Sequence, residues 1–299
     1  MNQHPSQDSG PTHIPVMITE VLSYLAIRPD GIYLDGTIGL GGHATPILKE
    51  LADAGKVIGI DRDEEALDIC KQNLKASSSF LSLHHNSYAN LDNILAAEGF
   101  SAVHGILLDL GLSSLQLGSK NRGFSYRSEG SLDMRFDQSN GSNAKKLIDQ
   151  TDRDSLAQIF KEYGEERLAS RIAKSIKEMT AMNAIADLRE AIRRCTPPNH
   201  RDRTFARIFQ ALRIAVNGEL DILQQFLAKF IDFLRPGGRI VIISYHSLED
   251  RLVKHSFKEL ASGGTLDILT KRPITATEKE RKNNRRAGSA KLRAAVKVA

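Results

Sequence analysis

The first third of the 299-residue chain alternates short apolar runs with amphipathic helical patterns, and this alternation restricts the fold more than any other feature. Strands that are apolar along their whole length are buried on both faces, which is typical of a parallel sheet covered by helices. The sequence therefore predicts an α/β fold with a doubly wound sheet. Its first four predicted strands are 31–35, 56–61, 80–87 and 103–111.

The alternation is interrupted after residue 118. Residues 119–140 are rich in Gly, Ser and Asn, which predicts a long ordered loop, and residues 144–195 contain only helical patterns. One further helix is predicted from about Ala206 to Leu234. We therefore expect an all-helical insertion between the fourth and fifth strands of the sheet.

The sheet is predicted to resume at Arg239 with the apolar run "RIVIISYHS", and residues 266–269 and 292–298 are further strand candidates. We expect a flexible leader over 1–12, a sheet domain built from 13–118 and 213–299, and the loop and helical insertion over 119–212.

The net charge of +5 is unevenly distributed along the chain. From residue 271 to the end there are ten Lys and Arg against two Glu, and residues 189–213 contain seven Arg against two acids. Two basic zones on a nearly neutral body favour a polyanionic partner, and the alternative is a solvated charged face.

Cys70 and Cys195 belong to no metal-ligand or disulfide spacing, so a reducing compartment is expected. His84 and His85 are consecutive and would face opposite sides of a strand, so no metal is predicted. No apolar run reaches the roughly 18 residues that a membrane span requires. We expect a cytoplasmic protein with no membrane partner.

The stretch "DGTIGLGGH" (35–43) places four glycines directly after the first predicted strand. Glycine lets the backbone approach a ligand and leaves amide groups free at a helix start, which is typical of nucleotide-type sites. Asp61 closes the second strand twenty residues after Gly41, where an acid often accepts hydrogen bonds from ribose hydroxyls.

The glycine spacing distinguishes between two cofactor classes. It departs from the G-x-G-x-x-G pattern of dinucleotide enzymes and resembles the D/E-x-G-x-G-x-G turn of S-adenosylmethionine-dependent methyltransferases, with Thr37 replacing the first glycine. A simple strand-to-helix turn is the alternative. Asp109 ends the fourth strand, where open α/β sheets place chemistry, although it could instead cap the turn at Gly111.

Nine short motifs extend along the chain from residue 13 to residue 251. They are "HIPVM" (13–17), "DGTIGLGGH" (35–43), "DRD" (61–63), "GILLDLGLSSLQL" (105–117), "RGFSY" (122–126), "SLDMRFD" (131–137), "YGEER" (163–167), "ALRIAVNGEL" (211–220) and "ISYHSLEDR" (243–251). Together they resemble the motifs of the bacterial 16S ribosomal RNA (cytosine(1402)-N(4))-methyltransferases, the family also called RsmH or MraW.

This resemblance implies a class I S-adenosylmethionine-dependent methyltransferase fold, which is a Rossmann-like, doubly wound sheet, with a helical substrate-recognition insertion. Two positions depart from the family pattern: Tyr88 stands where Phe is frequent, and Leu115 stands where proline is usual. Tyr88 preserves a ring for the adenine. The resemblance implies methyl-donor contacts at Gly41, Gly42, His43, Asp61, Tyr88, Asp109 and Gln116.

The implied reaction is attack of the exocyclic N4 of cytosine on the donor methyl group. This amine is conjugated with the ring and weakly nucleophilic, so the enzyme has to orient it and accept its proton or hydrogen bond. Asp109 is the predicted catalytic residue, although its role in the family as a cofactor contact could be its only one. No covalent nucleophile is required.

The target base has to leave its stack to be methylated, and extruded bases are held against aromatic side chains. Phe124 and Tyr126 are predicted to hold it, and packing of both rings into a core is the alternative. Arg122, Arg127 and Arg135 are predicted to lie near phosphate groups.

His246 is a further candidate substrate contact within "HSLED". The alternative is purely local, because Ser247 with Asp250 three residues later forms a capping signature for the following helix. The two interpretations are equally supported by the sequence.

The implied partner is 16S rRNA of the small ribosomal subunit, at position 1402 near the decoding P site, and the basic tail is expected to contact its phosphates. A homodimer is a further expectation. Two other functions stay open at this point. One is an NAD-dependent oxidoreductase, which would lack its usual glycine pattern here, and the other is an RNA-binding assembly factor without turnover.

Overall fold

The computed structural model describes residues 15–119 and 121–298, so the predicted leader over 1–12 lies outside the described residues. The strands run in the order β3-β2-β1-β4-β5-β8-β6 across one sheet, and β7 pairs with β8. The first five strands are parallel, whereas β8 is antiparallel to β5. The strands are β1 (Ile32–Asp35), β2 (Lys56–Asp61), β3 (Leu81–His85), β4 (Val103–Asp109), β5 (Leu234–Ser244), β6 (Leu266–Ile268), β7 (Ile274–Thr275) and β8 (Lys291–Lys297).

The apolar runs form strands because helices cover both faces of the sheet. All four residues of β1 are buried, as are most residues of β4. One face packs against α4 (Leu91–Ala97), α11 (Glu219–Leu227) and α12 (Ser247–Ser262). The opposite face packs against α1 (Ile18–Leu25), α2 (Ala44–Glu50) and α3 (Glu64–Asn73). The prediction of a doubly wound α/β sheet is confirmed.

The segment between β4 and α11 is helical. A third hydrophobic cluster, formed by residues between 124 and 212, holds it together. Within the described residues of this segment, β-type backbone pairing is limited to a single antiparallel bridge between Ser131 and Ala184. The helices are α5 (Ser114–Gly118), α6 (Ala144–Gln150), α7 (Arg153–Gly164), α8 (Ala169–Lys177), α9 (Ile185–Cys195) and α10 (Arg201–Asn217), and α13 (Glu278–Asn283) follows β7.

The prediction of one helix from about Ala206 to Leu234 is wrong. The helix begins earlier, at Arg201, and is broken at Gly218, whose φ of +61° lies in the left-handed region that favours glycine. A new helix, α11, starts at Glu219. The break turns the chain from the insertion back to the carboxyl edge of the sheet.

The strand order reverses between β1 and β4, because β2 and β3 lie on one side of β1 and β4 and β5 lie on the other. Open α/β sheets bind ligands at the carboxyl ends of the strands at such a switch point. In the part of the chain that the structure describes, no helix is long and apolar enough to cross a membrane.

Candidate functional site

The glycine-rich turn follows β1 and occupies the switch point. Gly39 and Gly41 have φ values of +51° and +85°, a region in which residues with side chains are strained. A Cβ on Gly41 would also lie 2.7 Å from Leu74 Cδ1 and 3.1 Å from Cys70 Sγ of α3. The bare backbone is therefore required both by the turn and by its close packing on α3.

Asp61 ties this turn to the next strand. Its carboxylate accepts hydrogen bonds from the backbone N–H groups of Gly39, at 2.8 Å, and Asp63, at 2.9 Å. Burial raises the pKa of Asp61 to about 6, although both of these hydrogen bonds oppose the shift. Asp35 at the end of β1 is also buried, which raises its pKa to about 8. Both acids ionise far less readily than a free aspartate.

A pocket of about 900 Å³, including its open mouth, lies above the turn, and we call it the strand-end pocket. Six of the residues predicted to contact the methyl donor line this pocket: Gly42, His43, Asp61, Tyr88, Asp109 and Gln116. Gly41 lies in the same turn and packs on α3. The sequence did not predict the contributions of Arg62, Phe136, Glu219, Glu249 and Arg286 to the same lining.

Asp109 lies at the end of β4 with its carboxylate held by a tyrosine. The Tyr245 hydroxyl donates to Asp109 Oδ1 at 2.7 Å, and burial raises the pKa of this tyrosine. The backbone N–H of Asp109 donates to Thr37 Oγ1 at 2.6 Å, so the residue that replaces the first glycine links the turn to β4. His43 Nδ1 lies 3.9 Å from Asp109 Oδ2, and its Nε2 contacts the Val16 carbonyl at 2.8 Å.

Tyr88 and Gln116 are buried beside the pocket. The Tyr88 ring meets Phe226 of α11 edge-on, with 5.5 Å between ring centroids. Gln116 Oε1 accepts from the Ser113 N–H at 3.0 Å, and Nε2 donates to Asp63 Oδ2 at 3.0 Å. The amide of Gln116 therefore fixes the start of α5, which holds this loop in place without the usual proline at position 115.

Arg122 does not lie at the surface, so the prediction that it contacts phosphate is contradicted. Its side chain is only 3% exposed and forms an ion pair with Asp63 at 2.8 Å. It also donates to the backbone carbonyls of Arg135, at 3.2 Å, and Phe136, at 3.0 Å. Arg122 therefore joins the loop of the insertion to Asp63, which follows the end of β2. Arg135 forms two hydrogen bonds with its neighbour Asp133 and is partly exposed.

A second cavity, which we call the insertion cleft, lies between the insertion and the ends of β4 and β5. It shares Gly111 and Arg286 with the strand-end pocket. Tyr126 contributes a ring that stacks on Phe205, with 5.6 Å between the two centroids. The lining of the insertion cleft consists of Gly111, Leu112, Leu117, Phe124, Tyr126, Ala206, Phe209, Gln210, Arg213, Tyr245, His246, Arg286 and Ser289.

The two predicted aromatic residues differ in burial. Phe124 is buried and stacks on Phe136 with 5.6 Å between centroids, which matches the core-packing alternative. Tyr126 is half-buried, and the exposed Arg127 places its guanidinium 5.6 Å from the Tyr126 ring centroid. Of the two rings, Tyr126 has the more accessible surface.

His246 is the N-cap of α12, and the predicted capping pair is displaced by one residue. His246 Nδ1 accepts from the Glu249 N–H at 3.4 Å, and Glu249 Oε2 accepts from the Tyr245 N–H at 2.8 Å. Ser247 instead donates to Glu165 of the insertion at 3.0 Å. His246 therefore has a capping role, and it also lines the insertion cleft.

Buried charges surround His246. Arg213 Nε donates to Glu219 Oε1 at 2.9 Å, and burial raises the pKa of Glu219. Ligand atoms of Glu219, His246 and Glu249 lie within 4.8 Å of one another, so they are the described residues that could hold a metal ion. His246 Nε2 lies 3.1 Å from Glu249 Oε1 but has no hydrogen-bond partner among the described residues. The absence of a metal stays a prediction.

Comparisons with known proteins agree with the motifs. The model of the MraW methylase family matches residues 10–298. A relative from Kosmotoga olearia named Ribosomal RNA small subunit methyltransferase H is 46% identical, over 96% of this chain and 98% of its own. A relative of the same name from Halothermothrix orenii is 44% identical, over 96% of this chain and 98% of its own. Another from Pelobacter propionicus is 43% identical, over 97% of this chain and 100% of its own.

Proposed function

Because the chain belongs to the MraW methylase family, we propose that it methylates 16S rRNA of the small ribosomal subunit at the N4 amine of a cytidine. S-adenosylmethionine is the methyl donor. The observation that carries the finer assignment is the meeting of two cavities beside Asp109, one at the glycine-rich turn and one beside the insertion. A donor and an extruded base can approach each other there.

The strand-end pocket fits the methyl donor. Gly39 and Gly42 line it without side chains, and the Asp61 carboxylate is oriented by two backbone amides. Asp61 would accept hydrogen bonds from the ribose, and the Tyr88 ring would contact the adenine. When bound, S-adenosylmethionine supplies an electrophilic methyl group on a sulfonium. The carboxylates of Asp61 and Asp109 line this pocket and, when ionised, favour a cation in it.

The insertion cleft fits an extruded base. Tyr126 and Phe209 offer aromatic surface, and Arg213 and Arg286 offer hydrogen-bond donors. Arg213 belongs to the basic zone at 189–213 and Arg286 to the basic tail, so both basic zones reach this cleft. This convergence supports RNA as the polyanionic partner, because Arg and Lys side chains provide the phosphate contacts that set affinity.

Asp109 is the proposed catalytic residue. Tyr245 holds its Oδ1, and this contact fixes the orientation of the carboxylate at the junction of the two cavities. A carboxylate oxygen there can accept a hydrogen bond from the cytosine N4 group, which increases its nucleophilicity and directs its lone pair. The carboxylate can then take the proton that N4 loses once the methyl has been transferred. A weakly nucleophilic amine requires this kind of assistance.

The biological context is also a proposal. We place the target at position 1402 near the decoding P site and the reaction in the cytoplasm, on the assembled small subunit rather than on free RNA. A homodimer stays a prediction, which light scattering of the purified protein tests by its mass.

The test uses labelled S-adenosylmethionine and small subunits that lack the methyl group. The wild-type protein should label the RNA, and Asp109→Ala should lower the rate by roughly 10² or more while RNA binding is retained. Asp267→Ala, which changes an exposed acid of β6, is the matched control and should behave as wild type. Full activity of Asp109→Ala would exclude the proposed role of Asp109. RNA binding by the wild type without any transfer would favour an assembly factor.

A further inference from the structure

The corner between α10 and α11 holds a loop of the insertion against the strand-end pocket. Asn217 is the last residue of α10 and is 4% exposed. Its Nδ2 donates to the carbonyls of Met134, at 2.7 Å, and Arg213, at 2.9 Å, and its Oδ1 accepts from the Phe136 N–H at 2.8 Å. One buried amide therefore fixes both ends of the Met134–Phe136 segment.

The conformation of this segment requires such support. Met134 has a φ of +62°, in the left-handed region that residues with a Cβ rarely adopt. Such strain persists only where surrounding contacts impose it, and it is frequent beside functional sites. Asn217 constrains the chain at the Met134 carbonyl and the Phe136 N–H, and the Met134 N–H donates to the Arg122 carbonyl at 2.9 Å.

The segment places the Phe136 ring in the lining of the strand-end pocket. Phe124 stacks behind this ring with a centroid distance of 5.6 Å and an interplanar angle of 22°. The guanidinium carbon of Arg62 lies 5.7 Å from the ring centroid, and Arg62 Nη1 donates to the Asn217 carbonyl at 2.7 Å. Phe124, Arg62 and Asn217 together thus fix the position of one aromatic side chain.

The neighbours of Phe136 indicate which part of the donor it meets. Arg62 directly follows Asp61, the acid assigned to the ribose, and both residues line the same pocket. Phe136 lies in the insertion, whereas the other residues predicted to contact the methyl donor all precede residue 119.

We propose that Phe136 is a donor-binding residue that packs against the nucleoside end of S-adenosylmethionine, and that Asn217 is the positioning residue that holds it there. The donor pocket is then completed by the insertion, and the sheet domain by itself would bind the donor more weakly. This inference depends on the identity of the donor and not on the RNA target.

The test measures binding of S-adenosylhomocysteine to the full chain by calorimetry. Phe136→Leu removes the ring face and should weaken binding about 3- to 10-fold, the range expected for one aromatic contact. Phe100→Leu is the matched control, because Phe100 is also a half-buried Phe with a cation, Lys56, over its ring at 5.9 Å, but it lies outside the strand-end pocket. The control should bind within 2-fold of wild type.

Asn217 is tested by a double-mutant cycle. Asn217→Ala should weaken binding about as much as Phe136→Leu, and adding it to Phe136→Leu should produce little further loss, because it acts through Phe136. Unchanged affinity of Phe136→Leu would overturn the proposal. If Asn217→Ala weakened binding equally in the wild type and in the Phe136→Leu variant, the positioning role would be overturned. Tight ligand binding by a wild type that methylates no RNA would count against the proposed function alone.

Discussion

Binding of the methyl donor should weaken at acidic pH, because Asp61 has to be ionised to accept hydrogen bonds from both ribose hydroxyls. Burial raises the pKa of Asp61 to about 6, so the carboxylate of the free protein is largely protonated at pH 5 and largely ionised at pH 8. If only the ionised form binds, the apparent dissociation constant follows the protonated fraction. It should rise about tenfold between pH 8 and pH 5.

The assay is calorimetric titration with S-adenosylhomocysteine at half-unit steps across this range. Asp61→Asn should bind the ligand at least about tenfold more weakly at pH 8, because an amide nitrogen would face one of the two backbone N–H donors from Gly39 and Asp63. This variant should also show no tenfold change between pH 8 and pH 5.

The matched control is Asp68→Asn, which changes an exposed acid of α3. It should retain the affinity and the pH dependence of the wild type. Binding by the wild type that is constant from pH 5 to pH 8 would refute the reasoning. So would an Asp61→Asn variant that keeps the full pH dependence, because the titrating group would then be another residue.

Three further predictions concern the same machinery. Gly41→Ala should lower the free energy of unfolding by about 1–3 kcal/mol more than Gly39→Ala, because both positions have positive φ but only Gly41 also packs closely on α3. Urea unfolding measures this difference in free energy. Equal losses for the two variants would contradict the packing argument. Arg122→Met should destabilise the protein by about 3–5 kcal/mol by leaving buried Asp63 without its guanidinium, whereas a phosphate-contacting arginine would lower RNA affinity and leave stability unchanged. The raised pKa of Asp35 means that the folded state holds a proton which the unfolded state releases above pH 4. The free energy of unfolding should therefore fall by up to about 1.4 kcal/mol per pH unit as pH rises from 4 to 8. Asp35→Asn should flatten this slope, and an unchanged slope would assign the titration to another group.

The sheet and the glycine-rich turn could be predicted because their signals are local. Strands buried on both faces need continuous apolar runs, and β1 and β4 have them. The turn needs residues that tolerate positive φ, and only glycine does so without strain. Asp61 was predicted from its distance along the chain, and the structure places it on the Gly39 amide.

The contacts that the sequence did not predict connect residues far apart along the chain. The partner of Arg122 is Asp63, 59 positions away, and a buried arginine looks the same in a sequence as an exposed one. Tyr245 and Asp109 are separated by 136 positions, so only the pairing of β4 with β5 brings them together.

Two local predictions failed for a different reason, since two patterns competed within a few residues. The i, i+3 capping spacing fits His246 with Glu249 as well as Ser247 with Asp250, and the structure uses the first pair. The helical pattern around Gly218 continues on both sides of the glycine, so periodicity alone could not show that the chain turns there.

The identity of the methylated nucleoside tests the central claim most directly. Small subunits that lack the modification are incubated with the purified chain and labelled S-adenosylmethionine, and their RNA is digested to nucleosides and analysed by mass spectrometry. We predict label in N4-methylcytidine at a single site. Label at C5 of the base or on the ribose, or no label in RNA at all, would contradict an arrangement in which Asp109 faces the amine of an extruded cytosine.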